Sequence, residues 1–121
     1  MDTFFFFLSA ITFLLIHEMD AVRRKEWLIF PGLSRLSDDT GFLVFTAAHI
    51  PLVFLVLAGL QTGLVFQPAI RITLDVFCLA HIGLHVLCHR LPENGFHSRF
   101  SWLVILGTGL AGLLDIVILV A

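Results

Sequence analysis

Charge is scarce in this chain: Asp, Glu, Lys and Arg make up only 13% of 121 residues, and the formal net charge is −2. No basic arm or polybasic stripe is present, so the electrostatic footprint that nucleic-acid binding requires is missing. There are two cysteines, Cys78 and Cys88. On one helix they would lie about 15 Å apart, too far for a disulfide. Without a C-x-x-C pair, the chain does not fit the pattern of four-helix disulfide-exchange membrane proteins. No repeat or low-complexity linker divides it, although Phe4 to Phe7 is compositionally biased.

What remains is apolar. Hydrophobic residues account for 59% of the chain and the mean hydropathy is +1.02, far above a water-soluble domain. Long stretches lack the polar face that a soluble helix or strand would show. A helix needs about 20 apolar residues to cross the hydrocarbon core, and four segments reach that length, at about 3–22, 41–61, 68–89 and 100–121. The expected fold is therefore all-α: an integral membrane four-helix bundle, forming a single transmembrane domain over 1–121. The first segment begins Met-Asp without a basic n-region or a small-x-small cleavage site, and is expected to be retained.

The basic residues indicate orientation. Arg23, Arg24, Lys25 and Arg35 lie in the first connection and Arg90 and Arg99 in the third, whereas Arg71 alone borders the second. The positive-inside rule puts connections one and three in the cytoplasm and both termini outside it. Pro31-Gly32 breaks the first connection, with Ser37, Asp38 or Thr40 as N-cap of the second helix, and Trp27 and Phe30 are expected at headgroup level.

Gly107-Thr108-Gly109-Leu110-Ala111-Gly112 spells G-x-G-x-x-G. That motif binds dinucleotides only between a strand and a helix. Inside an apolar helix it reads as small residues for close helix packing, here taken as the contact of a homodimer.

Candidate chemistry lies in the histidines. His81, His85 and His89 are spaced i, i+4, i+8, so their rings project from nearly one helix face, and two of them can grip one ion. His17 and Glu18 lie about 9 Å inside the cytoplasmic end of the first helix, and His49 lies roughly 12 Å inside the second, beside the helix-interior Pro51. A buried, unpaired carboxylate at that depth costs several kcal/mol, so Glu18 should neutralise, pair with a cation or ligate a metal. His17, Glu18, His49, His81 and His85 thus fall at one level and can converge. His89 reads as interfacial, and Asp20 as an i, i+4 ion pair with Arg24. Asp75 and Asp115 lie in the other half, where a shared proton or the hydroxyls of Thr73 and Thr108 would satisfy them.

The stretch His17-Glu18-Met19-Asp20-Ala21-Val22-Arg23-Arg24-Lys25-Glu26-Trp27, the His81, His85, His89 run and Asn94-Gly95-Phe96-His97 resemble a family of small bacterial four-helix membrane proteins of unknown function. The histidine-acid motif is similar in looser form to HXXEE-type membrane proteins, although here the acid follows His17 directly and no Glu-Glu pair exists. The first resemblance implies a multi-pass protein of the bacterial inner membrane.

The leading expectation is a metal-dependent hydrolase of a lipid or isoprenoid-like amphipathic substrate. Zinc, with iron second, would be held by His17, Glu18, His49, His81 and His85, and Glu18 would act as the catalytic base. Arg23 and Arg24 could hold a lipid phosphate at the headgroup level. One alternative is a haem or electron-transfer protein with His49 opposite His81 or His85. Another is a non-catalytic transporter or scaffold subunit.

Overall fold

A computed structural model describes residues 4–121 as four long helices, α1 (Phe5–Arg23), α2 (Asp38–Thr62), α3 (Pro68–Cys88) and α4 (Arg99–Val120), with no strand among the described residues. Each is long and apolar enough to cross a membrane, so the protein is a multi-pass membrane protein. Thr3, where the first helix is expected to begin, lies outside the described residues. The second helix starts three positions earlier than expected because Ser37 caps it, its Oγ accepting the Thr40 N–H at 3.3 Å. Asp38 and Asp39 then occupy the positive end of the helix dipole. Ser98 caps α4 in the same way, through the Ser101 N–H at 3.0 Å.

The core is a three-helix arrangement in which α4 packs along both α1 and α3. The glycine motif makes this possible. A Cβ on Gly109 would collide with Ile82 Cδ1 of α3, and one on Gly107 would meet the Phe13 ring of α1 at 3.0 Å. Small residues of α4 are therefore used inside the chain, Gly107 against α1 and Gly109 and Gly112 against α3. Down the same helix Ser101, Thr108 and Asp115, seven positions apart, are all completely buried.

α2 stands outside this core and is fastened mainly near its ends. Near its start, Gly41 and Phe45 receive Trp27, whose indole would lie 2.5 Å from any Cβ on Gly41. Near its end Gly59 meets Val65. Between these points Ile50, Phe54 and Leu55 are exposed, as suits a helix that presents most of its circumference to lipid.

The first connection is folded rather than loose. It makes two short 3₁₀ turns, Glu26–Ile29 and Leu33–Arg35. Trp27 is 2% exposed and packs with Ala21, Phe45, Phe96 and Ile105, because the missing side chain of Gly41 leaves a flat slot for the indole. Phe30 is half-buried against the same cluster. Asp20 does pair with Arg24, at 3.3 Å, but it is buried and also accepts a 2.5 Å hydrogen bond from Ser101 Oγ, which ties α1 to the start of α4.

Candidate metal centre

Four side chains from three elements meet at the end of the bundle formed by the first and third connections. His17 comes from α1, His81 and His85 from successive turns of α3, and Glu26 from the first 3₁₀ turn. Their donor atoms all lie within 4.8 Å of one another. His85 Nε2 is 3.2 Å from both His17 Nε2 and His81 Nε2. Glu26 places Oε2 3.3 Å from His17 Nε2 and Oε1 3.7 Å from His85 Nε2.

These separations are informative because of what imidazole can do. A ring nitrogen carries either one N–H or one lone pair. His85 Nε2 therefore cannot make two good hydrogen bonds in opposite senses to His17 and His81. Three Nε2 atoms and a carboxylate crowded together are instead what a shared cation would bring about. Metal–ligand bonds of about 2.0–2.1 Å in a tetrahedron put neighbouring donors roughly 3.3–3.4 Å apart, and three of the four measured separations lie within about 0.2 Å of that range. The donor set fits zinc, or iron as a harder alternative.

A backbone reversal aims Glu26 inward. After α1 ends, Lys25 adopts φ 56°, ψ 51°, and it is the one described non-glycine residue with positive φ. A left-handed turn at a residue with a Cβ costs roughly 1–2 kcal/mol, and such strain is held only where the surroundings enforce it. Here Trp27, pinned by Gly41 and Phe45, does so. Burial works to raise the Glu26 carboxyl. The contact and charge of His17, with His85 and His81 behind it, outweigh burial and hold the group below its ordinary value of 4.5.

The third connection closes the site from the water side. Phe96 is 1% exposed and lies against both His85, at a ring separation of 4.6 Å, and His17, at 5.5 Å. Its backbone is fixed at both ends: its N–H donates to Asn94 Oδ1 at 3.1 Å, and its carbonyl accepts from Trp102 Nε1 at 3.0 Å. His81 is the most accessible of the three rings.

Of the expected site residues, the structure brings His17, His81 and His85 together. Glu18 and His49 form a separate pair, with Oε2 to Nε2 at 2.8 Å, joining α1 to the outlying α2. Helical geometry explains the separation, because His17 and Glu18 are consecutive and diverge by about 100° around the helix axis, given 3.6 residues per turn. His49 Nδ1 lies 2.7 Å from the Phe45 carbonyl oxygen. A carbonyl only accepts, so Nδ1 carries a proton, and the Glu18–His49 contact must hold one more, on either the ring or the carboxyl. His89 is exposed beside Trp102, clear of the cluster.

Glu26 is the member of the cluster that sequence reasoning missed. The chain matches the family of unknown function DUF6713 over residues 3–121. No curated protein matches it, and neither does any solved structure.

Proposed function

Because the chain belongs to the DUF6713 family, whose function is unknown, we propose from the site itself that it is a metal-dependent membrane protein holding one divalent ion, zinc in first place and iron in second. The ligands are His17, His81, His85 and Glu26. The observation that carries this reading is the set of donor separations around His85 Nε2, 3.2, 3.2 and 3.7 Å, with 3.3 Å between His17 and Glu26. A haem between His49 and His81 or His85 is a poorer fit, since both ring nitrogens of His49 are engaged, Nε2 by Glu18 at 2.8 Å and Nδ1 by the Phe45 carbonyl at 2.7 Å.

The chemistry proposed for the centre is hydrolysis of an amphipathic, lipid-like substrate. A bound ion supplies Lewis acidity. Glu18 and His49, which share a proton beside the cluster, are the groups that would move a proton during turnover. Phe96 keeps bulk water off the imidazoles while His81 stays reachable, which supports access from within the bilayer. The basic residues of connections one and three support their placement in the cytoplasm of a bacterial cell, with the termini on the other side of the inner membrane.

Elemental analysis of the detergent-purified protein tests the proposal. About one zinc or iron per chain is expected, and His85→Ala should remove most of it. A parent protein without stoichiometric metal after growth and purification in zinc- or iron-supplemented medium would overturn it.

A further inference from the structure

The half of the bundle opposite the metal centre contains a second group of buried charges. Arg71 of α3 and Asp115 of α4 form a two-pronged ion pair: Nε donates to Oδ2 at 2.5 Å and Nη2 donates to Oδ1. Their side chains are 3% and 1% exposed, and the guanidinium lies over the rings of Phe4 and Phe7. The pair thereby matches Asp115 in both charge and geometry. Asp75, one helical turn beyond Arg71, is different. It is 0% exposed, neither carboxyl oxygen has a hydrogen-bond donor, and it faces Asp115 across the α3–α4 contact. It packs against Gly112, where a Cβ would lie 3.4 Å from Oδ1. The nearby hydroxyls give it nothing, because Thr73 and Thr108 donate to the carbonyls of Ala69 and Val104 in their own helices. Among the described residues, the other titratable side chain at this level is the Cys78 thiol on α3, and α1 from Phe5 to Ile16 contributes none.

Among the described residues, one guanidinium therefore faces two carboxyls, and no described donor reaches either oxygen of Asp75. Two ionised carboxylates cannot be held face to face in a low-dielectric interior. Asp115 already has its cation. We propose that Asp75 is a proton-binding site, holding a proton that it donates to Asp115, so that the three residues form a neutral unit clasping α3 to α4. This is a second ionisable centre, about 15 Å along α3 from His85 at 1.5 Å per residue, and it does not depend on the metal reading.

Infrared spectroscopy of the full-length protein in lipid nanodiscs, with carbon-13 in the aspartate carboxyls, tests this directly. A carboxylic-acid C=O band from aspartate is expected at neutral pH and should vanish in Asp75→Asn. Its absence from the parent protein would overturn the proposal, as would a band that appears only when sodium is withdrawn, since that would identify a sodium site. Stability gives an independent reading. Asn mimics a protonated Asp, so Asp75→Asn should melt within a few degrees of the parent and keep its metal content, whereas Asp115→Asn strands Arg71 and should melt clearly lower. An Asp75→Asn variant that melts as low as Asp115→Asn, or does not fold, would show that Asp75 is an ionised partner of Arg71 and would end the proposal.

Discussion

Glu26 Oε2 lies 3.3 Å from His17 Nε2 although the two residues are separated by the last turn and a half of α1 and a left-handed reversal at Lys25. The carboxylate that completes the cluster therefore comes from a connection, and its position depends on Trp27 being seated against α2. Membrane depth alone would have favoured Glu18, which lies within α1. The two acids have separable roles in this arrangement, and they make opposite predictions.

Glu26→Gln should weaken metal binding by at least the roughly 10–100-fold seen when supporting groups of metal sites are lost. Glu18→Gln should leave metal content unchanged while lowering any hydrolytic turnover by about 10²–10⁴-fold, the range for a lost acid–base group. Titration of the two variants with zinc in the presence of a competing chelator distinguishes them. Equal metal loss in both would remove the division of labour between the acids.

Acid should strip the metal before it neutralises Glu26. Imidazole binds a metal only as the free base, and its ordinary protonation range is near pH 6.5. Metal content should therefore fall between neutral pH and about pH 5. Glu26 behaves differently because its carboxyl is held below 4.5 in the folded protein. The stability it contributes is present above the ordinary carboxylate range and is lost only as the pH drops through that depressed value. Metal release and melting temperature followed together from pH 7 to 4 should show two separate declines, the metal going first.

Lys25 offers a test of the reversal. Glycine adopts positive φ without the Cβ penalty, so Lys25→Gly should fold at least as well as the parent and gain up to about 1 kcal/mol. The exposed Lys25–Asp38 ion pair that it loses is worth little. Lys25→Val places a β-branched residue in the left-handed region and should lower both stability and zinc affinity. Thermal melts of the two variants with and without metal would reveal the ordering, and Val behaving like Gly would show that the reversal does not aim Glu26.

Much of this architecture was legible from the sequence, for identifiable reasons. The four spans follow from uninterrupted apolar length, and the meeting of His17 with His81 and His85 follows from comparing depths along helices that run in the same direction. Glu26 was hidden because it follows Arg23, Arg24 and Lys25, a run that reads as a solvated connection, and nothing local to it shows that the backbone turns back. The burial of Trp27 was hidden too, because nothing beside these basic residues shows that Gly41 makes room for the indole. His49 lies at the right depth, but α2 stands too far out for it to join the cluster, a distance that hydropathy does not encode. Arg71 read as a flanking charge, yet it is buried against Asp115.

The glycines of α4 should tolerate little. Gly109→Leu would drive a side chain into Ile82 and the backbone of α3 at Cys78. The expected loss is about 1–3 kcal/mol for overpacking, and more if the helices separate. A melting temperature unchanged in Gly109→Leu would mean that α3 and α4 do not touch there.

The buried seat of Trp27 gives the protein an optical reporter of its own. The chain has two tryptophans and no tyrosine, and Trp27 adjoins Glu26 in an apolar pocket where its indole N–H has no acceptor. Its emission should therefore be blue-shifted, and a paramagnetic ion such as cobalt, used in place of zinc, should quench it as the site fills. With Trp102→Phe removing the second emitter, occupancy could then be followed in the purified protein by fluorescence, without a label.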